Sequence, residues 1–98
     1  MRKDAEKTEG SDLLVRLNKN YKTLSKGQKQ LAAYITENYD RAAFITASKM
    51  GRIVGVSEST VVRFAYALGY DGYPELQKSL QELIRNKLTS VQRIQLTG

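Results

Sequence analysis

The chain has 98 residues, which is enough for one small domain, and it contains neither cysteine nor histidine. These absences exclude a disulfide framework and a thiolate or imidazole metal site, and they remove the commonest general base. The formal net charge is +6, and the positive excess is spread along the chain and not confined to one tail. A basic domain of this kind favours a polyanionic partner such as nucleic acid.

Targeting signals are missing from the sequence. No apolar run approaches the roughly 18 residues of a membrane span, and the first ten residues lack the apolar core of a signal peptide. We therefore expect no membrane partner and a cytoplasmic protein. Residues 1–10 are polar, mixed in charge and end in glycine, so we expect a disordered leader there.

Every segment after the leader has helical periodicity, and none shows the two-residue alternation of a strand. This pattern predicts an all-α domain of five helices with a helix-turn-helix core and no β wing. The first helix ends near Asn20. The second begins at Ser25, where Ser25 and Gln28 form a Ser-x-x-Gln capping box, and it ends around residues 39–40. The apolar stripes are Leu13, Leu14, Leu17 and Tyr21 in the first helix, and Leu31, Ala32, Ile35 and Tyr39 in the second.

The centre of the chain contains the helix-turn-helix pattern. Thr46 caps the predicted third helix, which stops at Gly55 because glycine adopts the left-handed conformation without strain. Val56 fills the gap between the two helices, and Ser57 caps the fourth helix at once. Gly51 lies where a small residue lets the helices cross closely. The predicted inward positions are Met50, Ile53 and Val54 in the third helix, and Val61, Phe64, Ala65 and Leu68 in the fourth.

Two further segments complete the predicted core. One more helical turn before the third helix is expected to bury Phe44 and Ile45. The fifth helix begins at Pro74, a residue favoured in the first turn. Its apolar side continues beyond Leu83, where we expect contact with a second copy of the chain; the leucines of the first helix could make a similar contact. The apolar residues of the fifth helix are Leu76, Leu80, Leu83, Ile84, Leu88 and Val91.

The outward face of the fourth helix is nearly uncharged, as expected for a helix that enters the major groove of DNA. Arg63 can donate two hydrogen bonds to a guanine edge, and Val62 can contact a thymine methyl. The positions predicted to read bases are Glu58, Ser59, Val62, Arg63 and Tyr66. Those predicted to contact phosphates are Lys26, Thr46, Ser48, Lys49, Ser57 and Thr60.

Other interpretations of the same residues stay open at this point. Arg63 can simply be solvated, Glu58 can complement the helix macrodipole, and Tyr66 can pack on a neighbouring helix. The whole pattern would then be a structural helical hairpin, or a protein-interaction or dimerisation module without sequence-specific DNA binding. The acidic residues are scattered and no glycine-rich phosphate loop is present, so we expect no enzyme, no catalytic residue, no metal and no cofactor.

The segment from Leu24 to Leu80 resembles the N-terminal DNA-binding domain of the RpiR family of bacterial transcriptional regulators, and the likeness extends over roughly residues 13–88. Its specific part is "GVSESTVVRF" followed by "LGYDGYPELQ". The resemblance implies a domain that binds double-stranded DNA as a homodimer, in a regulator of sugar or amino-sugar metabolism that is usually a repressor. Family members generally carry a C-terminal SIS domain that binds phosphosugars.

The sequence departs from the family pattern in two ways. It has no SIS domain, so a phosphosugar effector is expected to act only through that absent domain. We assign residues 11–90 to the DNA-binding domain and residues 91–98 to the start of a linker to the missing SIS domain. Two explanations stay open: the sequence is a piece of a longer protein, or the gene encodes the DNA-binding part alone. The last helix runs into the C-terminus without a firm stop, which favours the first. Gly51 also stands where family members usually have alanine, which should loosen the third helix by about 0.5–1 kcal/mol.

Overall fold

A computed structural model describes the backbone of residues 12–97 and the side chains of residues 12–85. Over that range the chain is helical apart from short connections and contains no strand, which confirms the all-α prediction. The elements are α1 (Asp12–Asn20), a 3-10 turn (Tyr21–Thr23), α2 (Lys26–Glu37), α3 (Tyr39–Ala42), α4 (Ala47–Val54), α5 (Glu58–Ala67) and α6 (Tyr73–Thr97). The five predicted helices are therefore α1, α2, α4, α5 and α6. The leader predicted for residues 1–10 lies outside the described residues.

Local hydrogen bonds start α2, α4 and α5 and stop α4 at the predicted positions, whereas α2 ends at Glu37, before the predicted residues 39–40. The Ser25 side chain accepts from the Gln28 amide, and the Gln28 side chain accepts in return from the Ser25 amide, which confirms the capping box. Thr46 and Ser57 cap α4 and α5 in the same way through their hydroxyls. Gly55 has φ of 92°, so α4 ends in the left-handed residue that glycine favours.

The core is built around α5, which packs against α4, α2 and α6. Phe64 is fully buried at its centre, and the predicted stripe of Val61, Ala65 and Leu68 is buried with it. Truncation of a buried phenylalanine typically costs about 3–5 kcal/mol, so this stripe holds α5 firmly in place. The other large buried side chains are Leu13, Leu31, Ile35, Met50, Leu76 and Leu80.

Two apolar residues lie outside the core, contrary to prediction. Phe44 is 69% exposed and Ile53 is 48% exposed. The short helix α3 ends one residue before Ala43, so its last turn buries the small residues Ala42 and Ala43 against α6 and directs Phe44 outward. On α4 the buried face is completed by Met50 and Gly51, which leaves Ile53 on the opposite side of the helix.

Gly51 permits the closest approach between α4 and the turn that follows it. A Cβ atom on Gly51 would lie 2.7 Å from the carbonyl oxygen of Val56, which is closer than real Cβ atoms come to backbone oxygens. The Gly51 carbonyl also accepts hydrogen bonds from the amides of Gly55 and Val56. The turn is thus folded directly onto Gly51, as expected for a small residue, and an alanine would require the Val56 carbonyl to move.

Side chains of α6 hold the segment that leads into α4. The Tyr73 hydroxyl and the Gln77 amide both donate to the Ile45 carbonyl, at 2.7 and 2.9 Å. The Gln81 amide donates to the Ala43 carbonyl at 3.0 Å. These bonds satisfy backbone carbonyls that no helix satisfies, and they position the beginning of α4 relative to the core.

Helix α6 continues to Thr97, so residues 91–97, assigned to the start of a linker, are helical. Leu83 is buried and Ile84 packs partly against the core. The side chains of Leu88 and Val91, which were expected to contact a second copy, lie outside the described residues.

Among the described helices, none combines the length and the apolarity that crossing a membrane requires.

Candidate nucleic-acid interface

One face of α5 is turned away from the core and is open to solvent. Its exposed residues are Ser59, Arg63, Tyr66 and Ala67, which we call the outer face of α5. They occupy the side of the helix opposite Val61, Phe64, Ala65 and Leu68, as the 3.6-residue period requires. The core therefore determines which side chains of α5 a ligand can reach.

Arg63 is the single charged residue of the outer face. It is exposed, and no hydrogen bond, ion pair or ring contact links it to any other described residue. Its guanidinium keeps all five N–H donors for a ligand. An arginine with a free, planar donor fork on the face of a rigidly held helix has the geometry needed to contact a guanine edge.

Glu58 and Ser59 are also exposed, in the first turn of α5. The Glu58 carboxylate lies at the positive end of the helix dipole, where a negative charge stabilises the helix, as the alternative interpretation of this residue requires. Neither side chain is engaged with another described residue. Both are therefore available at the end of α5 that follows the turn.

The cap of α5 leaves one hydroxyl proton for a ligand. Ser57 Oγ accepts from the Thr60 amide at 3.1 Å and lies 2.9 Å from Thr60 Oγ1. Two hydroxyl groups carry two protons, and their mutual hydrogen bond uses one of them. The other can be donated to a phosphate oxygen. Ser57 and Thr60 thus retain one donor between them.

Lys26 lies beside the start of α5 because α2 comes very close there. A Cβ atom on Gly27 would be 3.2 Å from Val56 Cγ1 and 3.6 Å from Thr60 Cγ2. The first turn of α2 is thus packed on the turn between α4 and α5. Lys26 is exposed, and its side chain makes no hydrogen bond, ion pair or ring contact with another described residue. Lys26, the residue before Gly27, is therefore at the end of α2 that packs beside Thr60.

The remaining predicted phosphate ligands lie at the beginning of α4. Thr46 Oγ1 accepts from the Lys49 amide at 3.0 Å and keeps its own hydroxyl proton, while Ser48 and Lys49 are exposed. The eight residues of α4 separate this group from Ser57 by about 12 Å. The predicted phosphate ligands therefore form two groups, one at each end of α4.

Two predicted base-reading residues are less accessible or differently placed than Arg63. Val62 is partly buried and packs against the core. Tyr66 is 56% exposed. Its hydroxyl comes within 4.0 Å of a Cβ atom built on Gly72, so its ring leans toward the turn after α5.

Ala67 and Arg16 were missed by sequence reasoning. Ala67 belongs to the outer face, and the period of α5 alone could have found it. Arg16 binds the C-terminal end of α5: its Nη1 donates to the Leu68 carbonyl at 3.0 Å, and its guanidinium lies 4.2 Å from the centre of the Tyr70 ring. Arg16 and Leu68 are 52 positions apart in the sequence, so no local pattern could indicate this contact.

Comparison with known proteins agrees with this geometry. Residues 11–87 match the family model described as "Helix-turn-helix domain, rpiR family". The chain is 35% identical over 74 residues to the uncharacterized HTH-type transcriptional regulator YfhH of Escherichia coli, covering 76% of this chain and 26% of that protein. It is 31% identical over 71 residues to the HTH-type transcriptional regulator HexR of Pseudomonas aeruginosa, covering 72% and 25%.

A third relative is the uncharacterized HTH-type transcriptional regulator CPE0189 of Clostridium perfringens, which is 32% identical over 63 residues, or 64% of this chain and 23% of that protein. No solved structure matches the chain. The chain spans about a quarter of the length of these relatives. All three are transcriptional regulators and not enzymes. The helix-turn-helix formed by α4 and α5, with its open outer face, is a DNA-binding element, and the chain belongs to the rpiR family of helix-turn-helix transcriptional regulators.

Proposed function

We propose that this chain is the sequence-specific DNA-binding part of a cytoplasmic bacterial repressor of sugar or amino-sugar metabolism. The observation that carries the sequence-specific part is Arg63, a free guanidinium on the outer face of a helix held by a fully buried stripe. Rigid elements position recognition groups more precisely than loops do. In this proposal α5 lies in the major groove, Arg63 and Ser59 read base edges, and the other residues predicted to read bases flank them.

The metabolic role and the repressor activity rest on the resemblance to the family. They are tested by selecting, from the genome of the source organism, the fragments that the chain binds. Bound fragments should lie at promoters of genes for the uptake or phosphorylation of sugars, and deletion of the gene should raise transcription there. Enrichment of unrelated promoters, or a fall in transcription, would contradict the respective part of the proposal.

The phosphate ligands are proposed to position α5 without selecting a sequence. Lys49→Ala should weaken binding to the operator and to random duplex alike, and it should reduce the slope of log affinity against log salt by about one. The domain should stay folded, because the Lys49 side chain is exposed and makes no hydrogen bond, ion pair or ring contact with another described residue. Affinities of both duplexes across a salt series, with a thermal melt as control, test this. A loss confined to the operator would make Lys49 a base-reading residue instead.

We further propose that the chain binds DNA as a homodimer, since one recognition helix reads only a few base pairs. An apolar groove of about 380 Å³ between α1 and α2, lined in part by Leu14, Tyr21 and Ala33, supports a contact between copies. Leu14 and Tyr21 are 36% and 46% exposed there. Leu13 and Leu17, by contrast, are buried in the core and are not available.

Footprinting on a selected operator should therefore show two related half-sites in inverted orientation, about one helical turn apart or a multiple of that. The physical reason is that the two-fold symmetry of a dimer must match the symmetry of the site it binds. A single half-site protected at full affinity would contradict the dimer. A phosphosugar effector, in this proposal, acts through an SIS domain and not through residues 11–90.

A further inference from the structure

A cleft of about 500 Å³ separates α1 from the C-terminal half of α5. Val15 and Lys19, one turn apart on α1, line one side, and Tyr66 and Ala67 of α5 line the other. Tyr66 and Ala67 also belong to the outer face of α5. Anything that docks against the outer face therefore meets this cleft and the exposed side of α1.

Two of the three charged residues that line the cleft, Asp12 and Arg16, are paired with groups of the protein itself. Arg16 Nε lies 3.1 Å from the Asp12 carboxylate, and Arg16 Nη1 donates to the Leu68 carbonyl. Asp12 also accepts from the Tyr70 hydroxyl at 3.1 Å. Arg16 and Asp12 are thus held together as an ion pair in the lining of the cleft. Lys19 is different: it is exposed, and no hydrogen bond, ion pair or ring contact links it to any other described residue.

The width of the major groove indicates that a DNA phosphate lies within reach of Lys19 when α5 is in the groove. An α-helix with its side chains is about 10–12 Å wide and the major groove is about 12 Å wide, so a helix in the groove has sugar-phosphate backbone close on both sides. The phosphate ligands predicted from the sequence lie on α2, on α4 and at the start of α5. None lies at the C-terminal half of α5, where α1 is the neighbouring element.

We propose that Lys19 binds a backbone phosphate of DNA, and that the cleft between α1 and α5 receives the strand that passes the C-terminal half of α5. This inference rests on the proposed function, since it requires α5 in the major groove. It adds a phosphate contact from α1 to those from α2 and α4, so that α5 is held at both of its ends. A phosphate contact of this kind is independent of sequence.

The test uses Lys19→Gln and a labelled duplex of mixed sequence, so it does not depend on knowing the operator. Binding is measured by fluorescence anisotropy across a potassium chloride series. The slope of log affinity against log salt should fall by about one. A fourfold rise in salt should accordingly weaken the variant about three- to fourfold less than the unaltered chain.

The matched control is Lys78→Gln. Lys78 is exposed on the side of α6 turned away from the core, while α5 packs on the buried side of α6. No hydrogen bond, ion pair or ring contact links Lys78 to any other described residue. The substitution Lys78→Gln removes the same charge as Lys19→Gln and should leave the slope of log affinity against log salt unchanged. Thermal melts should show both variants folded, because neither side chain is part of the core.

The outcomes separate the inference from the proposed function. If the unaltered chain binds duplex with a salt-dependent affinity and Lys19→Gln has the same slope, the phosphate contact of Lys19 is overturned and the proposed function stands. The same conclusion follows if both lysine variants lower the slope equally, because the effect is then one of net charge. If the unaltered chain shows no salt-dependent binding to duplex, the proposed function fails.

Discussion

Replacement of Arg63 by alanine should lower affinity for the preferred operator by about 1–3 kcal/mol and should lower affinity for random DNA much less. Arg63 is exposed on the outer face of α5 and has no partner among the described residues, so nothing in the folded domain competes with a base for its donors. A bidentate contact to a guanine is made only where a guanine occupies the right position. Its loss therefore reduces discrimination between sequences.

The measurement is the affinity of Arg63→Ala for operator and random duplexes across a salt series. Arg63→Lys is the informative second variant, because lysine keeps the charge and loses the planar donor fork. It should restore affinity for random DNA without restoring discrimination. An equal loss on both duplexes in Arg63→Ala would show that Arg63 binds phosphate. No loss on either would show that α5 is not the recognition helix.

Raising the pH from 10 to 12 should destabilise the folded domain by about 2 kcal/mol for each of two buried tyrosines. Burial raises the pKa of Tyr70 from 10.0 to about 12, and the nearby Asp12 carboxylate acts in the same direction against the opposing Ser79 hydrogen bond. Burial likewise raises the pKa of Tyr73 from 10.0 to about 12, with a smaller contribution from Tyr34.

The sign follows from which state keeps the proton. Below pH 10 both phenols are protonated in the folded and the unfolded chain, and their contribution is fully present. Between pH 10 and 12 the unfolded chain loses these protons while the folded chain retains them, so unfolding becomes more favourable as the pH rises. Above the pKa that the two tyrosines have in the folded chain, their contribution to the free energy of unfolding is lost. Ionisation of Tyr73 also removes the donor to the Ile45 carbonyl that holds the beginning of α4.

Denaturant unfolding followed by circular dichroism at intervals from pH 9 to 12 measures this loss. Tyr70→Phe and Tyr73→Phe serve as matched variants, since each removes one phenol and keeps the ring. Each should be less stable than the unaltered chain near pH 9, where a hydrogen bond is lost, and each should show a shallower fall in stability with pH. A fall of unchanged steepness in both variants would contradict the assignment to these tyrosines.

Much of the helix-turn-helix was determined by the sequence alone, because the interactions that define it are local. Ser25, Thr46 and Ser57 cap their helices through bonds to amides three residues away, and Gly55 adopts its left-handed conformation at the predicted stop. The buried stripe of α5, exemplified by Phe64, follows directly from the 3.6-residue period. With that stripe known, the opposite side of the helix and the exposed position of Arg63 follow as well.

Only the tertiary structure decided which of several apolar residues are buried. Phe44 and Ile53 were expected inside by hydrophobicity. The side-chain amides of Gln77 and Gln81 instead hold the carbonyls of Ile45 and Ala43, so that α6 buries Ala42 and Ala43 while Phe44 is exposed. On α4, Met50 and Gly51 occupy the buried face and Ile53 does not. Spacing states which residues share a face of a helix. It does not state which face meets a neighbouring helix, because that depends on elements far away in the chain.

The same reason applies to the end of α5. The sequence places no signal on Arg16 or Lys19. Arg16 binds Leu68, which is 52 positions later in the sequence, and Lys19 faces Tyr66 across the cleft only when α1 packs on α6. Local patterns determined the recognition helix and its capping residues. The packing of α1 and α6 decided what surrounds that helix, because contacts between distant segments exist only after the chain has folded.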